Sequence, residues 1–351
     1  MKIILRIVCI VLLPILVIAQ QNKPDSLRTV LQNATNDLAR HNACMDLYFY
    51  YFEVNRDSAL YYAEKRLILA KKNNIKLAEA AAYISNGFQY SNIGRYSESF
   101  QNLLAAIKIA EDPANEEVRG WRVAQYHIPG KNRQTLLATA YHVLGGLMKN
   151  TENPVQEILH VKKGLQIAVE INHPDRQMVA NMNLANAYIK MNKIDSALIY
   201  AKAAEKISGN FIAQQYKGNN SLVLGNIYSA KGDMQQAMKY YYEGMQSATM
   251  QNNQTDIAKL NHRLVAVYKS DNRRDSALHY ALKNLKLIES IGGISDQETN
   301  MGTAYEDLYL AYKLNNQIDS SYKYQGMALA VKDSLFKIRI QNLADFQKLS
   351  L

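Results

Sequence analysis

Cysteine is almost missing from this chain. Only Cys9 and Cys44 occur in 351 residues. Cys9 lies inside an apolar leader, so neither an internal disulfide nor a cysteine-based metal site can be built. Tryptophan occurs once, at Trp121, and proline six times, with Pro174 the last; from 175 onward nothing interrupts regular helices. A glycine-rich phosphate loop, a His-Glu-x-x-His pair and a strand pattern to carry a phosphate loop are all absent. The seven histidines (His41, His127, His142, His160, His173, His262 and His279) are dispersed. No two have the four-residue spacing that puts two ligands on one helix face. No nucleophile–base pair is found either, so no enzymatic activity, metal or cofactor is expected. Basic residues outnumber acidic ones 41 to 31 without clustering. That argues against a nucleic-acid footprint and for a mildly basic surface biased toward acidic partners.

The one long apolar run stands at the start. Lys2 and Arg6 lead into Ile7–Ile18, and Val17-Ile18-Ala19 offers a small-residue cleavage site, the pattern of an export signal. Its 12 residues fall short of the roughly 20 that span a bilayer as a helix. The expectation is a signal peptide over 1–19 and export to the periplasm, with membrane tethering only if the chain is part of a longer sensor. Removing the leader leaves 39 basic against 31 acidic residues, a net charge near +8.

What the chain has is tyrosine, 24 residues of it, and a tetrapeptide that returns. Asp57-Ser58-Ala59-Leu60 recurs at 195–198 and 275–278, and loosely as Asp319-Ser320-Ser321-Tyr322. A tyrosine precedes the third position by nine residues each time: Tyr50, Tyr188, Tyr268 and Tyr312. Aligned on a small residue, the equivalent positions are Leu47, Gly87, Gly145, Ala185, Gly225, Val265 and Tyr309, at intervals of 40, 58, 40, 40, 40 and 44. Such a period means a repeat architecture. Each unit reads as two helices. The first carries an apolar pair, a small residue and a tyrosine three on, as in Leu224-Gly225-Asn226-Ile227-Tyr228. A polar break such as Ser229–Asp233 follows, and Asp or Ser then caps the second helix.

The series Gly87/Tyr90/Gly94/Tyr96/Ser99 and Gly225/Tyr228/Gly232/Ala237/Tyr241 resemble the tetratricopeptide repeat. The resemblance covers about residues 34–333 and implies an all-α solenoid of about seven helical hairpins, with a unit longer than the usual 34 or so residues. The expected units are 40–72, 80–111, 138–169, 178–207, 218–249, 258–289 and 302–333, in an array spanning 40–333. Residues 20–39 form a leading cap, with Leu27, Val30 and Leu31 on one helix face. An insertion over 112–131 carries Trp121, His127 and Pro129-Gly130. It reads as a lengthened linker with Trp121 packed over the adjoining helices, or as a binding loop, because insertions in solenoids map to one face. The last stretch, 334–351, reads as a C-terminal helix with Ile340, Leu343, Phe346 and Leu349 in one apolar stripe. It either caps the seventh repeat or leads away from the array.

First helices of stacked hairpins line a concave surface. Outward-facing positions there are Asn183, Asn186 and Lys190, then Asn219 and Asn226, then Lys259, His262, Arg263 and Lys269. Asparagine amides donate and accept together, as an extended peptide backbone requires, and Lys and Arg hold carboxylates. Asn186, Asn226, Lys259 and Arg263 are similar to the carboxylate clamp of one tetratricopeptide subfamily, which grips peptide C-termini. Met182 and Val223 stand where that clamp has a lysine and a second asparagine. The expected ligand-binding set is Asn183, Asn186, Lys190, Asn219, Asn226, Lys259, His262 and Arg263, with Trp121 as the candidate in the insertion. The expected partner is a protein or peptide with an acidic or C-terminal carboxylate group. In the first repeat His41, Tyr48 and Tyr51 read as helix packing, and Cys44 as a small packed residue.

A further resemblance extends beyond the repeat. Asp25-Ser26-Leu27, the Asp57–Tyr62 motif and Lys332–Phe336 follow the signal peptide in that order. This arrangement is similar to the exported sensor region of certain bacterial histidine kinases, where the exit leads to a coiled segment, a membrane helix and a kinase. The resemblance implies a sensory input module of a two-component system. The alternative is a free-standing periplasmic scaffold that assembles a cell-envelope complex.

Overall fold

The computed structural model describes residues 23–350 apart from 53–54, 117, 125–127, 210–213 and 293–298. Among the described residues there are fifteen α-helices, one short 3-10 turn and no extended strand. A leading helix, α1 (Lys23–Gln32), precedes seven hairpins. These are α2 (Asp37–Tyr51) with α3 (Arg56–Lys72), α4 (Lys76–Asn92) with α5 (Tyr96–Glu111), and α6 (Asn132–Asn150) with α7 (Pro154–Glu170). Next come α8 (Pro174–Lys190) with α9 (Ile194–Ile207), α10 (Lys217–Ala230) with α11 (Met234–Met250), and α12 (Gln254–Ser270) with α13 (Arg274–Ser290). The last is α14 (Met301–Leu314) with α15 (Ile318–Ser350). Each helix packs on the next in sequence, and from α4 onward each first helix also packs on the first helix of the following hairpin. The fold is an all-α solenoid.

Nine breaks between consecutive helices are built one way. Two residues past the helix the backbone turns left-handed, at Asn74, Glu152, Asn172, Asn192, Asn252, Asn272 and Asn316 (φ 52–58°) and at Gly94 and Gly232 (φ 81° and 79°). The following N–H then closes back on the helix: Lys193 to Tyr188 O at 2.8 Å, Asp233 to Tyr228 O at 2.9 Å, Arg273 to Tyr268 O at 2.9 Å. This satisfies an otherwise orphaned carbonyl, and Asn and Gly are the residues that enter the left-handed region at least cost. It also corrects the expected capping. Asp57, Asp195 and Asp275 lie in the first turn of their helices, not at the cap, which is Asn55, Lys193 and Arg273 respectively. There the carboxylate charge complements the unpaired N–H groups of the helix start. Asp233 alone of the Asp residues at these breaks caps as expected, accepting from Gln236 N at 3.0 Å. The alanine of the tetrapeptide (Ala59, Ala197, Ala277, with Ala237 equivalent) is wholly buried where the two helices of a hairpin meet.

Small–large pairing holds the hairpins whose aligned position is glycine. A Cβ added at Gly225 would lie 2.4 Å from the Tyr241 ring, and one at Gly145 would lie 2.4 Å from Val161 Cγ2. The repeated tyrosine does more than fill a gap, because it stacks on a second tyrosine twelve residues on. Tyr188–Tyr200, Tyr228–Tyr240 and Tyr312–Tyr324 lie within 9° of parallel at 5.4–5.5 Å, and Tyr268–Tyr280 at 5.5 Å and 16°. Such a pair contributes about 1 kcal/mol beyond its area, and it recurs in every hairpin from α8 on.

Both ends behave differently from a plain cap. Leu27 and Leu31 of α1 pack on the first hairpin and Arg28 donates to Tyr51 Oη at 2.8 Å, while Val30 stays exposed. The boundary expected at 334 falls inside α15, one continuous helix of 33 residues. That helix neither caps the seventh repeat nor leaves the array. Leu343 and Phe346 pack into the core around the second hairpin, with Phe346 edge-on to Tyr96 and Phe100. Asn342 fills the space above Gly94, Ser97 Oγ donates to Asp345 O, and Arg339 pairs with Glu152 in the turn after α6. The array therefore curves far enough for its last helix to reach its second hairpin. Ile340 is left exposed, and Leu349 lies where the side chain is outside the described residues.

Removing this contact is expected to release the helix without unfolding the array. Leu343→Ala with Phe346→Ala costs about 2 kcal/mol locally, because both side chains are only part-buried. Hydrogen exchange across 339–348 accelerates while the far-ultraviolet dichroism of the chain stays within a few per cent. Unchanged exchange there would mean the helix end is held otherwise.

Candidate binding face

The first helices meet in a fixed register. Counted from the aligned small residue, the side chain three positions before it in one hairpin meets the side chain two positions before it in the next. His142 of α6 thus stands 3.4 Å from Asn183 Nδ2 of α8. His262 Nδ1 of α12 lies 2.9 Å and 3.0 Å from the two carboxylate oxygens of Asp307 on α14. Burial, then the charge of Arg176, push the His142 imidazole down to about 4; it is neutral and has a lone pair for the Asn183 amide. Burial raises the Asp307 carboxyl, opposed by the bond to His262 and by Asn284 at 3.4 Å.

Three of the expected ligand-binding residues are therefore engaged inside the array: Asn183 with His142, His262 with Asp307, and Asn226, whose Oδ1 accepts from Tyr241 Oη at 3.0 Å. Lys190 sits close enough to the buried Glu157 to offset, with Lys149, part of the burial that raises its carboxyl. Arg263 lies near Tyr241 and counters the rise that burial imposes on its phenol. The Asn186 and Asn219 side chains make no hydrogen bond among the described residues; both are partly exposed, and Lys259, which has an interaction of its own, is exposed to a similar degree. Asn219 and Lys259 occupy the same register position on neighbouring helices, α10 and α12.

Trp121 is not displayed. It is 6% exposed and rests on the His41 ring, centroids 4.7 Å apart. Its neighbour Arg122 reaches Asp46 at 2.6 Å, and Arg122 N donates to Asn42 Oδ1 at 3.0 Å. The insertion shares a core with its neighbours α5 and α6, as expected of a lengthened linker, and in addition crosses back as a strap to α2 of the first hairpin. His127 lies outside the described residues. Cys44 is buried and its thiol is pushed up to about 11 by that burial, which suits a packed residue and not a reactive one.

Two residues of weight were not anticipated. Asp307 holds the register position of Asn183 and Arg263, so aligned counting would have found it. Arg66, 1% exposed, donates to Ser85 Oγ at 3.1 Å and lies over the Tyr48 ring, and burial lowers its guanidinium to about 10. Its equivalents are Ala106, Gly164, Ala204, Gly244, Asn284 and Ala328, all small or short. Departure from that pattern was the available signal.

The described residues hold no group of three or more His, Cys, Asp or Glu placed for a metal ion, and no helix long and apolar enough to cross a membrane. A family model described as the SusR N-terminal TPR domain matches residues 15–118, and the tetratricopeptide repeat model matches 179–211 and 221–248. No curated protein matches the chain. Among solved structures, a Rap protein complexed with competence and sporulation factor is 15% identical over 90% of this chain and 81% of its own, with a TM-score of 0.64. The apo form of RapI is 13% identical over 85% and 99%, with a TM-score of 0.58. The Rap conjugation gene regulator of plasmid pLS20, in complex with the Phr* peptide, is 16% identical over 82% and 77%, with a TM-score of 0.53. Identity this low establishes a shared fold.

Proposed function

We propose that this tetratricopeptide-repeat protein is an exported, non-catalytic module that binds a protein or peptide partner along its first helices and serves as the sensory input region of a two-component system. The observation that carries the binding reading is the polar set on α8, α10 and α12, three helices packed side by side. Asn186 and Asn219 offer amides there, and Lys259 and Arg263 offer positive charge one helix further on. An extended peptide with an acidic side chain or free carboxylate fits that order, since amides pair with its backbone and the cations hold its charge. The Rap protein and the pLS20 regulator, each solved with a bound factor or peptide, make such a ligand reasonable for this fold. The sensory reading rests on the motif order from Asp25 to Phe336, and periplasmic export on the leader at 1–19.

A free-standing scaffold is the second reading. It is favoured by the docking of α15 on the second hairpin, which keeps the last helix within the array. Coding sequence beyond Leu351 separates the two: a membrane span followed by kinase motifs supports sensing.

The binding test uses the purified chain against a peptide library presented with free and with amidated C-termini. Lys259→Ala with Arg263→Ala is expected to weaken a selected acidic peptide at least tenfold, about 1.4 kcal/mol or more. Equal affinity in variant and parent would remove the face from consideration.

A further inference from the structure

The last helix carries a second apolar face that nothing among the described residues covers. Ile318, Tyr322, Leu329, Phe336 and Ile340 are each 50–69% exposed. At 3.6 residues per turn they fall within an arc of about 40° and run for roughly 33 Å along α15. The face that docks on the second hairpin adjoins this stripe, with Leu343 about 20° and Phe346 about 80° from its edge, and the exposed row ends at Ile340, where docking begins. A straight row of large exposed side chains on a monomer marks an interaction surface.

From this arrangement we infer that the stripe pairs with the same stripe of a second copy of the chain, antiparallel, about a two-fold axis through Leu329. The inference stands independently of the proposed ligand. Leu329 is equidistant in sequence from Tyr322 and Phe336, and from Ile318 and Ile340. A two-fold axis there sets Leu329 on itself, Tyr322 against Phe336 of the second copy, and Ile318 against its Ile340. Every apolar side chain meets an apolar side chain, as an isologous interface requires.

The charges decide the direction. Lys337 and Arg339 stand on opposite flanks of the stripe, so a parallel pair in register would set Lys337 of one copy within a turn of Arg339 of the other, cation beside cation. Antiparallel pairing about Leu329 joins like flanks instead, which sets Lys337 within a turn of Asp319, Arg339 within a turn of Ser321, and Lys332 level with Gly326. No cation is set against a cation, and like-charge juxtaposition is what an interface must avoid. Arg339 keeps Glu152 as its partner within the chain. Five half-exposed large side chains per copy amount to on the order of 1,200 Å² buried in the pair, the lower edge of a specific interface. The result is two arrays held side by side across one pair of helices, an arrangement that multiplies the avidity of any binding face they carry.

Cysteine cross-linking tests this, because Cys44 is buried and a Cys9→Ser background removes the other thiol. Leu329→Cys is expected to cross-link to itself under mild oxidant. Phe336→Cys should cross-link only when mixed with Tyr322→Cys. Light scattering of the parent should give about twice the 39.8 kDa chain mass, and Leu329→Glu, which sets two carboxylates on the axis, should return it to one chain mass with unchanged helicity. A parent that stays monomeric at every loading overturns the proposal, as does efficient self-cross-linking of Phe336→Cys or of Tyr322→Cys alone.

Discussion

Gly145→Ala is expected to destabilise the third hairpin by about 2 kcal/mol, while Gly146→Ala, one residue on, stabilises it by up to about 1 kcal/mol. Both glycines lie in α6, so both substitutions relieve the same backbone entropy penalty. The difference lies in what the new methyl meets. At Gly145 it would stand 2.4 Å from Val161 Cγ2 and 3.3 Å from the Glu157 carbonyl oxygen, whereas at Gly146 nothing lies within 4 Å. Val161 is buried, and a valine in a helix has essentially one rotamer, so it cannot swing aside. The two helices must separate, and overpacking of this kind outweighs the gain in propensity. Hairpins in a solenoid contribute nearly independently, so the loss should appear as an early transition in urea and as faster exchange over 132–170, not as uniform weakening. A Gly145→Ala variant with parental stability would refute close approach at this position.

Stability is also expected to fall as pH drops from about 6.5 toward 4, with His41 the largest single contributor. Its ring is fully buried, and burial, then the charge of Arg66, hold the imidazole down to about 3. In the unfolded chain it titrates near 6.5. Between those values the unfolded state binds a proton that the folded state refuses, so stability rises with pH across the window and is lost on acidification. By pH 4 the cost is about 3 kcal/mol from His41 alone. Because His41 carries Trp121 on its ring, the only tryptophan reports the event: its emission should shift to the red as the strap lifts, before the helical signal falls. His41→Asn should flatten that pH profile. If the acid midpoint of the tryptophan signal is the same in His41→Asn as in the parent, His41 is not the group responsible.

Much of this molecule is local. The 40-residue period, the small residues at Gly87, Gly145 and Gly225, and the Asn or Gly at eight of the nine breaks (Glu152 holds the ninth) all act within a few turns of chain. Their consequences were accordingly readable: hairpins, their number and the class of fold. Even here the cap was misplaced, because the left-handed turn at Asn192 or Asn272 starts the next helix two residues earlier than an aspartate cap would.

The candidate face was legible in outline and not in detail. Reading α8, α10 and α12 as lining helices identified Asn186, Asn219 and Lys259, which do stand partly exposed. It could not show that Asn183 answers His142 or that His262 answers Asp307, since those partners lie some 40 residues off. The register that joins them appears only once neighbouring first helices are set side by side.

Composition and period by themselves determined that this chain is a run of α-helical hairpins. Local backbone chemistry suffices for that, because each turn and each close helix pair is made by residues adjacent in sequence. Only the tertiary structure decided that Trp121 straps the first repeat and that α15 returns to the second hairpin with one face docked and one bare. Those outcomes depend on the accumulated curvature of seven units, a sum of small rotations that no single repeat encodes.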